Sequence, residues 1–159
     1  MACKGELLNM INIKNNVRTI KINEKKLIAD AQKILDHLKY SNFDLGILLT
    51  TNKTIHRYNK EFRHKDKPTD ILSFAYHSEL KAGQRIKAKS DEDKNLGDLI
   101  ISLEYVKKDA QRYEQTFERR MEILLVHGVC HLLGHDHEKD EEYVVMDAQE
   151  QKLLKLLHS

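Results

Sequence analysis

The segment His127–His137, "HGVCHLLGHDH", constrains this chain more tightly than any other. The residues before it have helical spacing over about 117–133, with Thr116 as the expected N-cap. Gly134 follows, and glycine is the residue that most readily takes the left-handed C′ position ending a helix. His127 and His131 stand four residues apart on that helix. Four residues rotate by about 400°, so the two rings project about 40° apart and about 6 Å along the axis. That spacing lets two imidazoles converge on one ion, as in the H-E-x-x-H zinc helix. Gly134 then turns the chain back, and His137 arrives six residues after His131. The pattern H-x₃-H-x₅-H offers three neutral nitrogen donors from a rigid helix and the turn after it. Zn²⁺ accepts three such ligands and leaves a fourth position for water, the open geometry of a catalytic site. The expectation is one Zn²⁺ per chain, with other divalent transition metals also compatible with imidazole.

Neighbouring residues qualify this reading. His135 is the alternative third ligand, but it follows Gly134 directly, and His137 is favoured. Asp136 reads as a turn or supporting residue. Cys130 lies beside the ligand face and reads as a small buried residue, although sulfur is soft enough for zinc. The residue after His127 is Gly128, not the glutamate that serves as general base in H-E-x-x-H proteases, which removes the simplest route to peptide hydrolysis. The small residue is expected to leave space beside the metal.

With 159 residues and 40% apolar side chains, the chain suits one domain with one real core, residues 1–159. A single proline and six glycines leave little to interrupt regular structure. Alternation or short apolar runs predict strands at 10–15, 43–50, 71–76 and 96–102. Helical stripes fall at 24–39, 103–115, about 117–133 and about 140–157, with another helix capped by Asn52 and running to about 62. Four strands and five helices in this order predict an α+β fold: a small mixed four-stranded sheet covered by about five helices, with the metal-binding helix ending in a glycine turn. Residues 1–8 read as frayed and 77–95 as a mobile surface loop. The opening residues lack a secretory apolar core, and no apolar run approaches the roughly 20 residues needed to span a bilayer. With two cysteines, Cys3 and Cys130, no disulfide framework is expected, and the reading is a cytoplasmic protein without membrane association.

Formal net charge is only +2, but its distribution is uneven. Lys53–Lys89 holds ten Lys/Arg against four Asp/Glu, whereas 134–151 holds one Lys against seven acids. Such a chain meets a polyanion with one face. A guanidinium can clamp the oxygens of such a polyanion through two parallel hydrogen bonds. Arg63, in the basic turn before Pro68, reads equally as such a clamp and as a surface arginine paired with Asp66 or Asp70. Lys60, His64, Lys65 and Lys67 would hold a phosphate backbone by charge. Tyr58 and Phe62 are expected to pack inward. Ser73 and Asp98 are expected to shape the cleft by hydrogen bonding, and the cations of the 77–95 loop, Arg85 among them, to close on the same backbone.

At this point the sequence resembles the YbeY endoribonucleases, also described as rRNA maturation factors. Their signature looks like H-G-x-x-H-L-x-G-x-D-H, and "HGVCHLLGHDH" matches it at every fixed position. "NKEFRHKDKPTDILSF" (59–74) resembles the family's N-x-x-[YF]-R-x-K-D-x-P-T-D-V-L-S-F, and "LGDLIIS" (96–102) its L-G-D-I-x-I strand. Ala75 stands where proline is frequent and His135 where tyrosine is usual. The resemblance implies a zinc-dependent, single-strand-specific endoribonuclease that acts in ribosome quality control and matures the 3′ end of small-subunit ribosomal RNA. Its implied partners are single-stranded RNA, ribosomal RNA and the small ribosomal subunit, with no DNA substrate. By the same resemblance His127, His131 and His137 match the zinc ligands, and Arg63 matches a functionally important arginine, which makes it the candidate catalytic residue. The competing functions are a metallohydrolase for a peptide or small amide, and a non-catalytic zinc-stabilised module that binds ribosomal parts.

Overall fold

The computed structural model describes residues 10–158. The expected frayed start at 1–8, and Cys3 with it, lies outside the described residues. In chain order the elements are β1 (Ile11–Asn15), α1 (Glu24–His37), β2 (Asp44–Thr50), α2 (Asn52–Arg63), β3 (Ile71–Ala75), β4 (Asn95–Ser102), α3 (Leu103–Arg112), α4 (Phe117–Leu132) and α5 (Asp140–Leu157). These are the strands and helices that the patterning predicts, with ends shifted by up to three residues.

One cap differs. Thr51, not Asn52, is the N-cap of α2, and its side chain accepts from the Thr54 N–H. Asn52 is the first helical residue and does different work. Its N–H donates to Glu104 Oε1 (2.7 Å) and its Oδ1 accepts from Ser102 Oγ (2.7 Å). Both bonds fasten the start of α2 to the junction of β4 and α3.

The sheet order is β1-β2-β4-β3. β1, β2 and β4 run parallel, and β3 joins β4 antiparallel as an outer strand. Alternation along each strand separates two apolar clusters. Leu45, Ile47 and Leu49 of β2 and Leu99 and Ile101 of β4 face the larger core beneath α1, α4 and α5. On the other face Leu72 and Ile100 meet Ile55 of α2, with Leu48, Tyr58 and Phe74 around them.

From Met121 onward α4 is buried all round except at Ile123, His127 and His131. A helix apolar on nearly every side belongs in a core, and its one half-exposed stripe carries the two histidines. Gly128 faces the sheet, not the metal site. A Cβ there would lie 2.8 Å from both Ile71 Cδ1 and Leu99 Cδ2. The space it leaves is therefore already used to seat α4 against β3 and β4. A glutamate at this position would point into packed aliphatic side chains.

The 77–95 segment contains one 3₁₀ turn, Asp91–Asp93. Arg85 donates to the carbonyls of Leu38 (2.6 Å) and Lys39 (3.0 Å), and its guanidinium lies 4.2 Å from the Tyr40 ring centre. The Tyr40 hydroxyl in turn accepts from Ile86 N–H at 3.1 Å. Arg85 thus fastens the segment to the end of α1. Among the described residues no helix is long and apolar enough to cross a membrane.

Candidate metal centre

α4 delivers His127 and His131, and the turn after it delivers His137. Thr116 caps the start of α4, as its position predicts. Gly134 ends it with φ +90°, and a Cβ there would collide with the Leu80 carbonyl oxygen. Asp136 holds the turn by accepting from the His137 N–H at 2.7 Å. The ring nitrogens of His127, His131 and His137 that could hold an ion all lie within 4.8 Å of one another.

The second nitrogen of two rings is already engaged. Glu150 Oε2, on α5, lies 2.8 Å from His127 Nδ1, and the His135 carbonyl lies 3.0 Å from His131 Nδ1. Each acceptor draws the ring hydrogen to Nδ1 and leaves a lone pair on Nε2, the arrangement typical of metal-ligating histidine. The two Nε2 atoms face each other at 3.1 Å. Two lone pairs at that separation repel unless a cation joins them. Tetrahedral ligands at zinc–nitrogen distances of about 2.0–2.1 Å are themselves about 3.3 Å apart. The donor set therefore fits a zinc-sized cation. Burial, assisted by the neighbouring rings of His127 and His137, pushes the His131 pKa down to about 4. The proton is thus a weak competitor for this ring at neutral pH.

The two open alternatives separate here. The His135 ring is not among the converging donors; it contributes its carbonyl, and its buried Nδ1 has no hydrogen-bond partner. Burial, with a smaller contribution from Glu150, pushes the Cys130 thiol up to about 12. A protonated, buried thiol is a packing residue.

The histidines form one wall of a cleft of ≈ 570 Å³ that also includes Arg63, Thr69, Asp70 and Ser73. Arg63 is exposed at the last position of α2. Neither suspected partner holds it. Asp66 lies 2.7 Å from His56 Nε2, with Lys60 at 3.9 Å. Asp70 accepts from Ile71 N–H (2.7 Å) and pairs with Arg120 at 3.6 Å. Among the described residues Arg63 makes no ion pair. The basic turn itself is fixed from below: buried Asn59 donates to the Lys67 carbonyl (2.8 Å) and accepts Lys65 N–H on its own carbonyl (3.2 Å).

Two expectations need correction. Asp98 does not shape this cleft. It points to the opposite face of the sheet, over Gly46, because β4 alternates and its odd neighbours Leu99 and Ile101 take the core side. Phe62 does not pack inward: it is 55% exposed, because the second apolar cluster is too small to cover the last turn of α2. Glu150 is the residue that sequence reasoning missed. A zinc histidine calls for a carboxylate behind it, but several acids around α5 qualify until the packing of α5 on α4 is known.

A family model described as Endoribonuclease YbeY matches residues 12–158. The chain belongs to the YbeY endoribonuclease family. A YbeY relative from Sulfurihydrogenibium sp. is 40% identical over 93% of this chain and 93% of its own length. The human relative, also called Endoribonuclease YbeY, is 34% identical over 89% of this chain and 84% of its own. The solution structure of TM1509 from Thermotoga maritima superposes with a TM-score of 0.61 at 23% identity, covering 93% of this chain and 89% of that one, and shows the same fold. In this YbeY chain Glu150→Ala is expected to weaken metal binding by roughly 10–100-fold, because His127 loses the group that orients it. Competition against a chelating dye measures this directly.

Proposed function

We propose that this chain is a zinc-dependent, single-strand-specific endoribonuclease, acting in the cytoplasm on ribosomal RNA during small-subunit 3′-end maturation and ribosome quality control. The YbeY family supports RNA cleavage. The observation that carries metal dependence is the pair of imidazole lone pairs facing each other at 3.1 Å with a third ring beside them. Bound there by His127, His131 and His137, zinc would supply Lewis acidity toward a phosphate oxygen and lower the pKa of a water.

The chain's own groups supply the rest. Glu150 and the His135 carbonyl hold two rings in orientation. Arg63, lining the same cleft and without an acidic partner among the described residues, offers a fork to two phosphate oxygens and opposes the charge that develops on them. Ser73 and Thr69 place hydroxyl donors along the same cleft. A peptidase of the usual zinc-helix design is disfavoured, because the position of its glutamate base is Gly128, packed against Ile71 and Leu99.

Purified protein is expected to cut single-stranded RNA and not casein, and to lose the activity on chelation. A His127→Ala preparation made in parallel excludes contaminating nuclease. RNA cleavage that survives both chelation and His127→Ala would sink the proposal. Arg63→Ala is expected to slow cleavage by roughly 10²–10³-fold while metal content stays unchanged. Unaltered cleavage would remove Arg63 from the mechanism.

A further inference from the structure

α2 divides two surfaces at consecutive residues. Arg63 lines the histidine cleft, whereas Phe62 lines a second groove of ≈ 700 Å³ on the other face of the sheet. That groove exists because α2 covers only part of this face, leaving Lys14, Gly46 and Asp98 of the sheet beside it uncovered by a helix. Its wall is aromatic. The Tyr58 and Phe62 rings stack at 5.9 Å with an interplanar angle of 15°, and Phe74 meets Phe62 edge-on at 5.4 Å. Phe62 keeps 55% of its surface exposed. Cations border these rings: the Arg57 guanidinium lies 5.4 Å from the Tyr58 ring centre, and Lys14 comes from β1.

Flat aromatic surface interleaved with cations is the chemistry that receives a single nucleic-acid strand: any base offers a π-face, and the phosphates follow the positive charge. A duplex hides its base faces and would gain little here. Asp98, the one carboxylate lining the groove among the described residues, sits over Gly46 on the floor and repels phosphate. The backbone of a bound strand would therefore keep to the rim at Arg57, with its bases turned inward. We propose that this groove carries the RNA strand flanking the cleavage point, with a base stacked on Phe62, so that the strand passes over the end of α2 into the histidine cleft. This rests on the RNA-cleaving function proposed above.

Fluorescence anisotropy with a 2′-O-methylated single strand of roughly 16 nucleotides reads binding without cleavage. Phe62→Ala is expected to weaken binding about tenfold, with Phe62→Trp restoring it and metal content unchanged in both. In cleavage assays with unmodified RNA the same variant should raise KM and spare kcat. Equal strand affinity in Phe62→Ala and the unsubstituted protein would overturn the inference and leave this face to a protein partner. Weakened binding by Phe62→Ala in a protein that cuts no RNA would uphold the groove and refute the endonuclease reading alone.

Discussion

Replacing His131 with alanine is expected to abolish metal retention and to reduce RNA cleavage by roughly 10³-fold or more, the rate equivalent of losing several kcal/mol of Lewis-acid stabilisation. His131 has the most demanding position of the three histidines. It faces His127 through Nε2, lies 5.2 Å from the His137 ring, and uses Nδ1 to hold the His135 carbonyl. Its removal therefore takes away a ligand and the brace that keeps the following turn close. Alanine favours helix, and every other contact of α4 with the core remains, so the fold should survive and far-UV circular dichroism should be unchanged. His135→Ala is the matched control. It removes a ring outside the cluster while keeping the backbone carbonyl, and it should retain metal at one equivalent. Metal analysis of both variants, with cleavage rates measured in parallel, checks the assignment. Full metal loading of His131→Ala would dismantle the three-histidine centre.

Gly134→Ala is expected to lower stability by about 2–4 kcal/mol and to weaken metal binding at the same time. Two costs combine. The backbone there has φ +90°, where an L side chain is strained by about 1–2 kcal/mol. The added Cβ would also collide with the Leu80 carbonyl, and backbone cannot yield as the tip of a side chain can. Relief requires the turn to lift away from residues 80–81, which carries His137 away from the other two rings. For a chain of this size the loss corresponds to a fall in Tm of roughly 5–15 °C. Gly83→Ala separates the two costs. Gly83 also has positive φ (+86°), but a Cβ there meets nothing within 4 Å, so only the conformational strain should appear. Thermal melts of the metal-free and zinc-loaded forms would show whether the Gly134 variant also loses the stabilisation that zinc binding confers. A melt that matches Gly83→Ala would refute the collision.

The elements and the gathering of three histidines were legible because each rests on local signals. Helical spacing, Thr116 as a cap and Gly134 as a stop bring His127, His131 and His137 together without reference to distant chain. Residues whose meaning depends on a partner from elsewhere were not legible. Gly128 looked like room beside an ion, but its neighbours are Ile71 and Leu99, from two strands whose placement the sequence does not reveal. Asp98 and Ser73 both occur on strands, yet only the register of β3 against β4 shows that they serve opposite faces. Phe62 follows the amphipathic pattern of α2, and its exposure becomes apparent only once the sheet beneath proves too narrowly covered. Arg63 shows the same limit from the other side: Asp66 and Asp70, the two partners suspected for it, turn out to be committed to His56 and Arg120.

The sheet acts as a partition with unequal footings on its two sides. α4 is anchored in the main core, whereas α2 is seated through its own Ile55 on two buried side chains of the sheet, Leu72 and Ile100. A substitution among these three side chains thus unsettles α2 without reaching the main core. Arg63 and Phe62 ride on the same last turn of α2, so both would shift together while the histidines of α4 keep their footing in the main core.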